Sequence, residues 1–152
     1  EKWIAERCVF CRRCYPNYRP TGNVGIGKIY RKSDMFSRSL YVYPIDVGSC
    51  GGCNQELSAL TSPHYDMSRF GIFFVNTPRQ ADALIVLGAL TENMMMPLMR
   101  VYEAMPDPKL VVAGCSCAMV KDFPLKFDAI MPGSPPNPYT MLDVLVKLGR
   151  NK

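Results

Sequence analysis

The sequence is almost devoid of histidine and has no long apolar run. His64 is the only histidine among 152 residues, which argues against zinc sites of the mixed Cys/His type. No stretch of eighteen or more apolar residues occurs, so we expect no membrane-spanning helix. A charged-then-apolar leader with a cleavage site is also missing, so we expect no signal peptide and a soluble chain. A Ser/His/Asp catalytic set cannot be assembled, which leaves a hydrolase without support.

Composition and charge limit the number of domains and the kinds of partner that the chain can have. With 48% hydrophobic and 20% charged residues, the chain has enough material for one compact domain with a core. The net charge of +5 comes from 18 basic against 13 acidic residues, and the basic excess is concentrated before position 40. This excess suits an acidic protein partner, a membrane surface or nucleic acid. A solvated basic arm packed on a larger assembly fits equally well.

Seven cysteines carry the strongest chemical signal in the chain. They form three groups: Cys8, Cys11 and Cys14; Cys50 and Cys53; Cys115 and Cys117. An odd number in short clusters fits a disulfide framework badly, because secreted scaffolds normally have even counts. With histidine so scarce, the cysteines favour all-thiolate metal sites, either zinc or iron-sulfur.

Apolar periodicity divides the chain into an arm and an α/β unit. Residues 1–38 are predicted to form an irregular, cysteine-containing arm after a short helix, and residues 39–152 the second unit. Patterns typical of strands cover residues 39–47, 69–77, 81–90, 109–115 and 127–133. Helical patterns cover residues 54–62, 93–105 and 138–149, provided that Pro97 lies in the first turn of its helix. This alternation predicts a three-layer, mainly parallel sheet.

Two of the cysteine groups directly follow predicted strands. In parallel sheets, ligands bind beyond the carboxyl ends of the strands, so "CGGC" at 50–53 and "CSC" at 115–117 should meet at one edge. Four thiolates complete a cubane iron-sulfur cluster. Glycines at 48, 51 and 52 would let backbone amides approach its sulfides. A structural zinc satisfies the same ligand count, so spacing alone leaves iron-sulfur, zinc and unliganded thiols open.

Several separated motifs resemble one known family. "DVGSCGGCNQELSALTSPHYDMSRFGI", "NTPRQADALIVLGALT", "PDPKLVVAGCSC" and "MPGSPPNPYTML" occur in order over roughly residues 39–149. They resemble the small, electron-transfer subunit of group 4 membrane-bound nickel-iron hydrogenases and the related cluster-bearing subunit of respiratory complex I. The resemblance implies a flavodoxin-like fold that holds one 4Fe-4S cluster beside the large subunit. It also implies electron transfer between ferredoxin-like subunits and the large-subunit active site, which is nickel-iron in the hydrogenases and quinone in complex I.

The ligands of that family can be carried over only residue by residue. Cys50 and Cys53 match its first pair in the hydrogenase-type spacing, and Cys117 matches its third ligand. Its fourth ligand lies in a proline-glycine-cysteine turn, where this chain has Ser134. Three explanations remain open: Cys115 takes over, the serine oxygen ligates, or the site is degenerate. We favour Cys115, which stands where the family usually has glycine, because an extra cysteine beside the motif offsets the missing one. The expected ligands are Cys50, Cys53, Cys115 and Cys117.

The arm contains a second cysteine motif. "CVFCRRC" supplies the first three thiols of a ferredoxin-like run, Cys8, Cys11 and Cys14, but no cysteine follows three residues later. These thiols could bind a second cluster with a fourth ligand from elsewhere, bind zinc, or lie in a partner interface. Their neighbours Arg12 and Arg13 would favour a cluster's negative charge.

The expected function is therefore an iron-sulfur electron-transfer subunit of an oxidoreductase complex, without a complete active site in this chain. The resemblance implies as partners a hydrogenase-type large subunit, a ferredoxin-like iron-sulfur subunit and membrane-embedded subunits, with a peripheral position on the cytoplasmic side of the membrane. A cluster-free structural subunit of such a complex is the alternative, motivated by Ser134. An independent zinc-binding or nucleic-acid-binding module ignores the ordered motifs, so we expect no nucleic acid partner.

Overall fold

A six-stranded sheet organises the part of the chain that the structure describes. The computed structural model describes residues 4–11, 13, 22–33, 36, 38–119 and 123–149. The strands are β1 (Lys28–Ile29), β2 (Leu40–Gly48), β3 (Ile72–Phe74), β4 (Ala83–Gly88), β5 (Leu110–Ala113) and β6 (Ala129–Ile130). The helices are α1 (Gly52–Ala59), α2 (Glu92–Ala104) and α3 (Pro138–Gly149). None of the helices within these ranges is long and apolar enough to cross a membrane.

The strand order confirms the predicted class of fold. Along the sheet the order is β1-β6-β5-β4-β2-β3. All neighbouring pairs among β2 to β6 are parallel, and only β1 runs antiparallel to its neighbour β6. Without β1, the order is the 2-1-3-4-5 order of flavodoxin-like folds. The sheet is therefore mainly parallel and flavodoxin-like, as predicted.

The connections place a crevice between β2 and β4. The chain leaves β2 toward β3 at one edge of the sheet, and leaves β4 toward β5 in the opposite direction. Because such crossovers are right-handed, α1 and α2 lie on opposite faces. Every residue of β4 is buried, which requires that both faces of the sheet are covered. The reversal of direction makes the carboxyl ends of β2 and β4 the expected ligand-binding position.

The predicted arm contains more regular structure than expected. Of the segment expected to form a short helix at the start, the described residues contain a three-residue 3₁₀ turn at Ala5–Arg7, and β1 joins the main sheet. Gly27 lies so close to α3 that a Cβ atom there would be 2.1 Å from Cγ2 of Val144. The segment before residue 38 is thus partly packed on the sheet unit, and the domain boundary at 38 stays a prediction. Cys14 lies outside the described residues.

The predicted position of Pro97 is wrong. Helix α2 begins at Glu92, which makes Pro97 its sixth residue and places it in the second turn. A proline there removes the N–H that would bond to the carbonyl of Asn93. Pro97 is exposed, while the next residue, Leu98, is fully buried in the core. Burial of Leu98 and its neighbours offsets the lost hydrogen bond, because tertiary packing supplies most of a helix's stability.

Candidate metal centre

The turn after β2 is shaped by the carboxylate of Asp46. That carboxylate accepts backbone N–H groups from Gly48 at 2.9 Å and Ser49 at 2.7 Å, and the Ser49 hydroxyl at 2.6 Å. The side-chain amide of Asn54, on α1, donates to the same carboxylate. Gly51 then adopts a left-handed φ of 88° as the residue before α1, a conformation that glycine reaches without a Cβ penalty. Strand, turn and helix are therefore held in one fixed geometry.

Those hydrogen bonds also determine the charge of Asp46. Partial desolvation by neighbouring atoms acts to raise its pKa, but the Ser49 hydroxyl, the backbone N–H groups of Ser49 and Gly48 and the Asn54 amide together lower the pKa to about 2. Each of these donors favours the ionised carboxylate. Asp46 is therefore an anion at neutral pH, and it lies at the start of the turn that carries Cys50 and Cys53.

The two cysteines of this turn differ in exposure. Cys50 is exposed, whereas Cys53, on the first turn of α1, is buried. Burial raises the pKa of Cys53 to about 12, with further contributions from the thiols of Cys115, Cys117 and Cys50. A buried thiol of raised pKa is less reactive as a nucleophile than an exposed one. Ser49, in the loop after β2, and Cys115, in the loop after β5, both lie against Gly88, so the two loops meet, as the sequence predicted.

Cys115 lies two residues beyond the end of β5, close to this turn. Its side chain is fully buried, with 0% exposure. The backbone N–H of Gly88, the last residue of β4, donates to its sulfur at 3.2 Å. Burial raises the pKa of the Cys115 thiol, and the Gly88 N–H acts in the opposite direction. Cys115 thus joins the ends of β4 and β5 beside Cys53.

Ser134 lies at the same site, in the turn after β6. Its Oγ atom is 3.0 Å from Sγ of Cys117, and both side chains are partly buried. Gly133 precedes it with a φ of 126°, a backbone conformation that residues with a Cβ atom rarely adopt. The structure therefore brings Ser134, which stands at the position of the family's fourth expected ligand, into contact with Cys117.

Ser116 is a site residue that the sequence reasoning missed. Its backbone N–H donates to the carbonyl of Gly133 at 2.9 Å, and its Oγ accepts the Gly133 N–H at 2.8 Å. The same hydroxyl donates to the carbonyl of Cys8 at 3.1 Å. Cys8 is partly buried and Cys11 is exposed. The described part of the arm thus reaches the loop that carries Cys117, and the only signal in the sequence was a serine between two cysteines.

The donor set at this edge consists of thiols. Among the described residues, no three His, Cys, Asp or Glu side chains are gathered closely enough to hold one metal ion. A zinc site needs four ligands about 2.3 Å from one centre, and a cubane cluster likewise takes four thiolates.

Comparison with known proteins defines the family. Residues 50–124 match the family model described as "NADH ubiquinone oxidoreductase, 20 Kd subunit". The probable membrane-bound hydrogenase subunit mbhJ of Pyrococcus furiosus is 34% identical, over 78% of this chain and 79% of that protein. A subunit of the NADH-quinone oxidoreductase of Geobacter metallireducens is 38% identical, over 74% of this chain and 73% of that protein.

A solved structure agrees with these relatives. A chain of the membrane-bound sulfane sulfur reductase, described as an archaeal respiratory membrane complex, superposes with a TM-score of 0.60 and 28% identity. The match covers 76% of this chain and 71% of that chain. The chain therefore belongs to the family of small subunits shared by group 4 membrane-bound nickel-iron hydrogenases and complex I-like enzymes.

Proposed function

We propose that this chain is the iron-sulfur electron-transfer subunit of a membrane-bound, hydrogenase-related or complex I-like oxidoreductase complex. Its cofactor would be a 4Fe-4S cluster held by Cys50, Cys53 and Cys117, with Cys115 as the fourth thiol. The observation that carries the proposal is the meeting of both cysteine loops at the carboxyl edge of the sheet, where Gly88 packs against the backbone of Ser49 and donates its N–H to the sulfur of Cys115.

The chain's own residues would bind the cluster and control its surroundings. When bound, the cluster supplies one-electron oxidation and reduction, and no substrate site is needed in this chain. The backbone N–H of Gly88 donates to the Cys115 sulfur, and such bonds make a more negative, reduced centre less unfavourable. Burial of Cys53 and Cys115 keeps water from one side of the site.

The exposed surface at this edge suits a partner subunit. Thr91, which precedes α2, donates its N–H to Val47 near the end of β2, so the start of α2 lies beside the cysteine turn. Met95 and Met96 follow on that helix, and Met96 is 62% exposed. Methionine adapts well to protein interfaces. We assign this face to a hydrogenase-type large subunit, with a ferredoxin-like subunit and membrane-embedded subunits completing a complex on the cytoplasmic side of the membrane.

The arm cysteines are a separate proposal. Cys8 lies next to the loop of Cys117, and Cys11 and Cys14 are the other two thiols of its motif. We propose that they hold a second metal centre, either iron-sulfur with a ligand from elsewhere or zinc. The alternative is that these thiols lie in a partner interface. In that case, metal analysis would find no metal bound to them.

A cluster-free structural subunit is the second candidate function. The contact between Ser134 and Cys117 favours it, because a serine stands where the family has its fourth cysteine. The domain unit over residues 39–152 would then serve only to join partner subunits. Both candidates share the same fold and the same partners, so only metal content separates them.

Iron and acid-labile sulfide analysis of the anaerobically purified protein tests the proposal. Four or more irons per chain with matching sulfide are expected, together with an EPR signal on reduction. Cys53→Ser should abolish the signal, whereas the matched variant Cys11→Ser should retain the iron bound at the sheet edge. A protein without iron supports the structural subunit, and zinc in place of iron rejects the relay.

A further inference from the structure

A single hydroxyl connects three segments around the proposed cluster site. Ser116 Oγ donates to the carbonyl of Cys8 in the arm and accepts the N–H of Gly133 in the turn after β6. Its own N–H donates to the Gly133 carbonyl. Ser116 stands between Cys115 and Cys117 in the chain, so every one of these bonds acts directly on the loop of the expected ligands.

The bonds to Gly133 fix two site residues relative to each other. Ser116 and Gly133 form a reciprocal pair of hydrogen bonds, at 2.9 Å and 2.8 Å. The next residue in each loop is Cys117 and Ser134, whose side chains are in contact at 3.0 Å. The orientation of Cys117 toward the turn therefore depends on Ser116, although Ser116 itself offers no thiol.

The bond to Cys8 brings the arm over the outer side of the site. Given the 3.1 Å hydrogen bond, standard bond lengths place the Cα atoms of Cys8 and Cys117 no more than about 12 Å apart. The 3₁₀ turn Ala5–Arg7 packs against the turn Ser116–Ala118. Phe10, beyond Cys8, is partly buried and adopts a left-handed φ of 54°, a conformation that persists only where the surroundings hold it.

A second contact attaches the arm to strand β1. Glu6 and Lys28 form an ion pair, and Lys28 lies in β1, paired with β6. Segment 4–11 is thus attached both to the cysteine loop and to the edge strand. Two independent attachments define its position better than one exposed ion pair would.

We propose that Ser116 is a positioning residue that latches segment 4–11 onto the cysteine loops as the outer wall of the site. This inference rests on the proposed function for its redox consequence, but the latch itself does not require a bound cluster. When the wall loosens, water reaches the site, and a more polar environment favours the more highly charged reduced state. The reduction potential of the centre should then rise.

Hydrogen exchange of the full chain tests the latch, with and without metal. In Ser116→Ala the amide of Arg7, which donates to Ile4 within segment 4–11, and the amide of Gly133 should exchange about fivefold faster, the factor that corresponds to one net hydrogen bond. Ser116→Thr keeps the hydroxyl and should restore slow exchange. Ser68→Ala is the matched control, because Ser68 donates its hydroxyl to Asp66 at 2.7 Å on a 3₁₀ turn that carries no cysteine.

Glu6→Gln separates the latch from general destabilisation. It should speed exchange of the Arg7 amide but leave Gly133 unchanged, which also keeps the proposal testable if Ser116→Ala fails to fold. In the iron-loaded protein, EPR-monitored titration should give a higher midpoint potential for Ser116→Ala than for Ser68→Ala. Unchanged exchange in Ser116→Ala, or equal acceleration throughout the chain, would overturn the latch. Absence of iron from the wild type would reject the proposed function and leave the exchange result standing.

Discussion

The sulfur of Cys117 lies 3.0 Å from the hydroxyl oxygen of Ser134. The turn after β6 therefore reaches the site even though it carries a serine instead of a cysteine. Cys115, by contrast, lies deeper, with its sulfur bonded to the N–H of Gly88. Ser134 and Cys115 would therefore contribute differently to a cluster. Substituting each of them in turn distinguishes their roles.

On the proposed ligand assignment, replacing Cys115 removes the fourth ligand. In Cys115→Ser we expect iron content to fall and the EPR signal of the reduced protein to change, because a buried thiolate ligand is lost. Ser134→Ala should retain both, and Ser134→Cys should retain iron by placing a thiol in the loop. If Cys115→Ser has normal iron and an unaltered signal while Ser134→Ala loses iron, the fourth position belongs to the serine.

Two glycines at the site should differ sharply when changed to alanine. Both have left-handed φ, 86° at Gly88 and 88° at Gly51. A Cβ at Gly88 would lie 2.3 Å from the backbone nitrogen of Ser49, whereas at Gly51 nothing lies within 4 Å. Gly51→Ala should cost about 1–2 kcal/mol of unfolding free energy. Gly88→Ala should cost roughly 3–5 kcal/mol, because a backbone clash is added.

Urea unfolding of the two metal-free variants, compared with the wild type, measures this difference. Equal losses for Gly51→Ala and Gly88→Ala would show that the ends of β2 and β4 are not packed as closely as the structure indicates.

The ion pair between Arg31 and Asp128 should stabilise the attachment of the arm to the sheet. The Arg31 guanidinium bonds both oxygens of Asp128, at 2.6 Å and 3.0 Å, and the carbonyl of Lys109 at 2.7 Å. Asp128 is buried and also accepts the N–H of Val111. The hydrogen bond to Asp128 raises the pKa of Arg31. Arg31→Met should lower the unfolding free energy by about 1–3 kcal/mol, because a buried carboxylate loses its charged partner.

Arg69→Met provides the comparison for that measurement. Arg69 pairs with Asp66, but its side chain is 79% exposed, so its loss should cost less than about 1 kcal/mol. Denaturant unfolding of both variants distinguishes the pairs, and an Arg31→Met cost as small as that of Arg69→Met would contradict the prediction.

Acid should weaken the cysteine turn through Asp46. Its pKa is lowered from 3.8 to about 2 in the folded chain, so it stabilises the fold above pH 3.8, and this contribution is lost as the pH falls through about 2. Asp46→Asn should therefore lower the unfolding free energy of the metal-free protein, and the loss should not change with pH near neutrality. The difference from the wild type should shrink between about pH 4 and pH 2.

Thermal unfolding from pH 7 to pH 2 measures that difference. Because Asp46 is exposed, solvent screening keeps the effect smaller than the pKa shift alone would suggest. A difference between wild type and Asp46→Asn that grows as the pH falls would have the wrong sign for this mechanism.

Much of the fold followed from local patterns. Helix α3 covers Pro138–Gly149 as predicted, because its apolar residues recur with the helical period and Gly149 ends it. The continuous apolar run of β4 is buried on both faces. Pro97 was misplaced because packing of α2, which the local pattern does not contain, outweighs the cost of a proline in the second turn.

The site was only partly predictable. That Cys53 and Cys115 meet follows from parallel strands ending at one edge. The hydrogen bond from Ser116 to Cys8 joins residues 108 positions apart, and Arg31 and Asp128 are 97 positions apart. No short-range periodicity encodes such pairings.

The sequence by itself determined the parallel α/β class, the family and which loops carry thiols, because periodicity and motif order are local properties of the chain. Only the tertiary structure decided that Cys115 is bonded to Gly88, that Ser134 touches Cys117 and that the arm is attached through Ser116. These depend on how separate loops approach one another in space, which is set by the packing of the whole sheet.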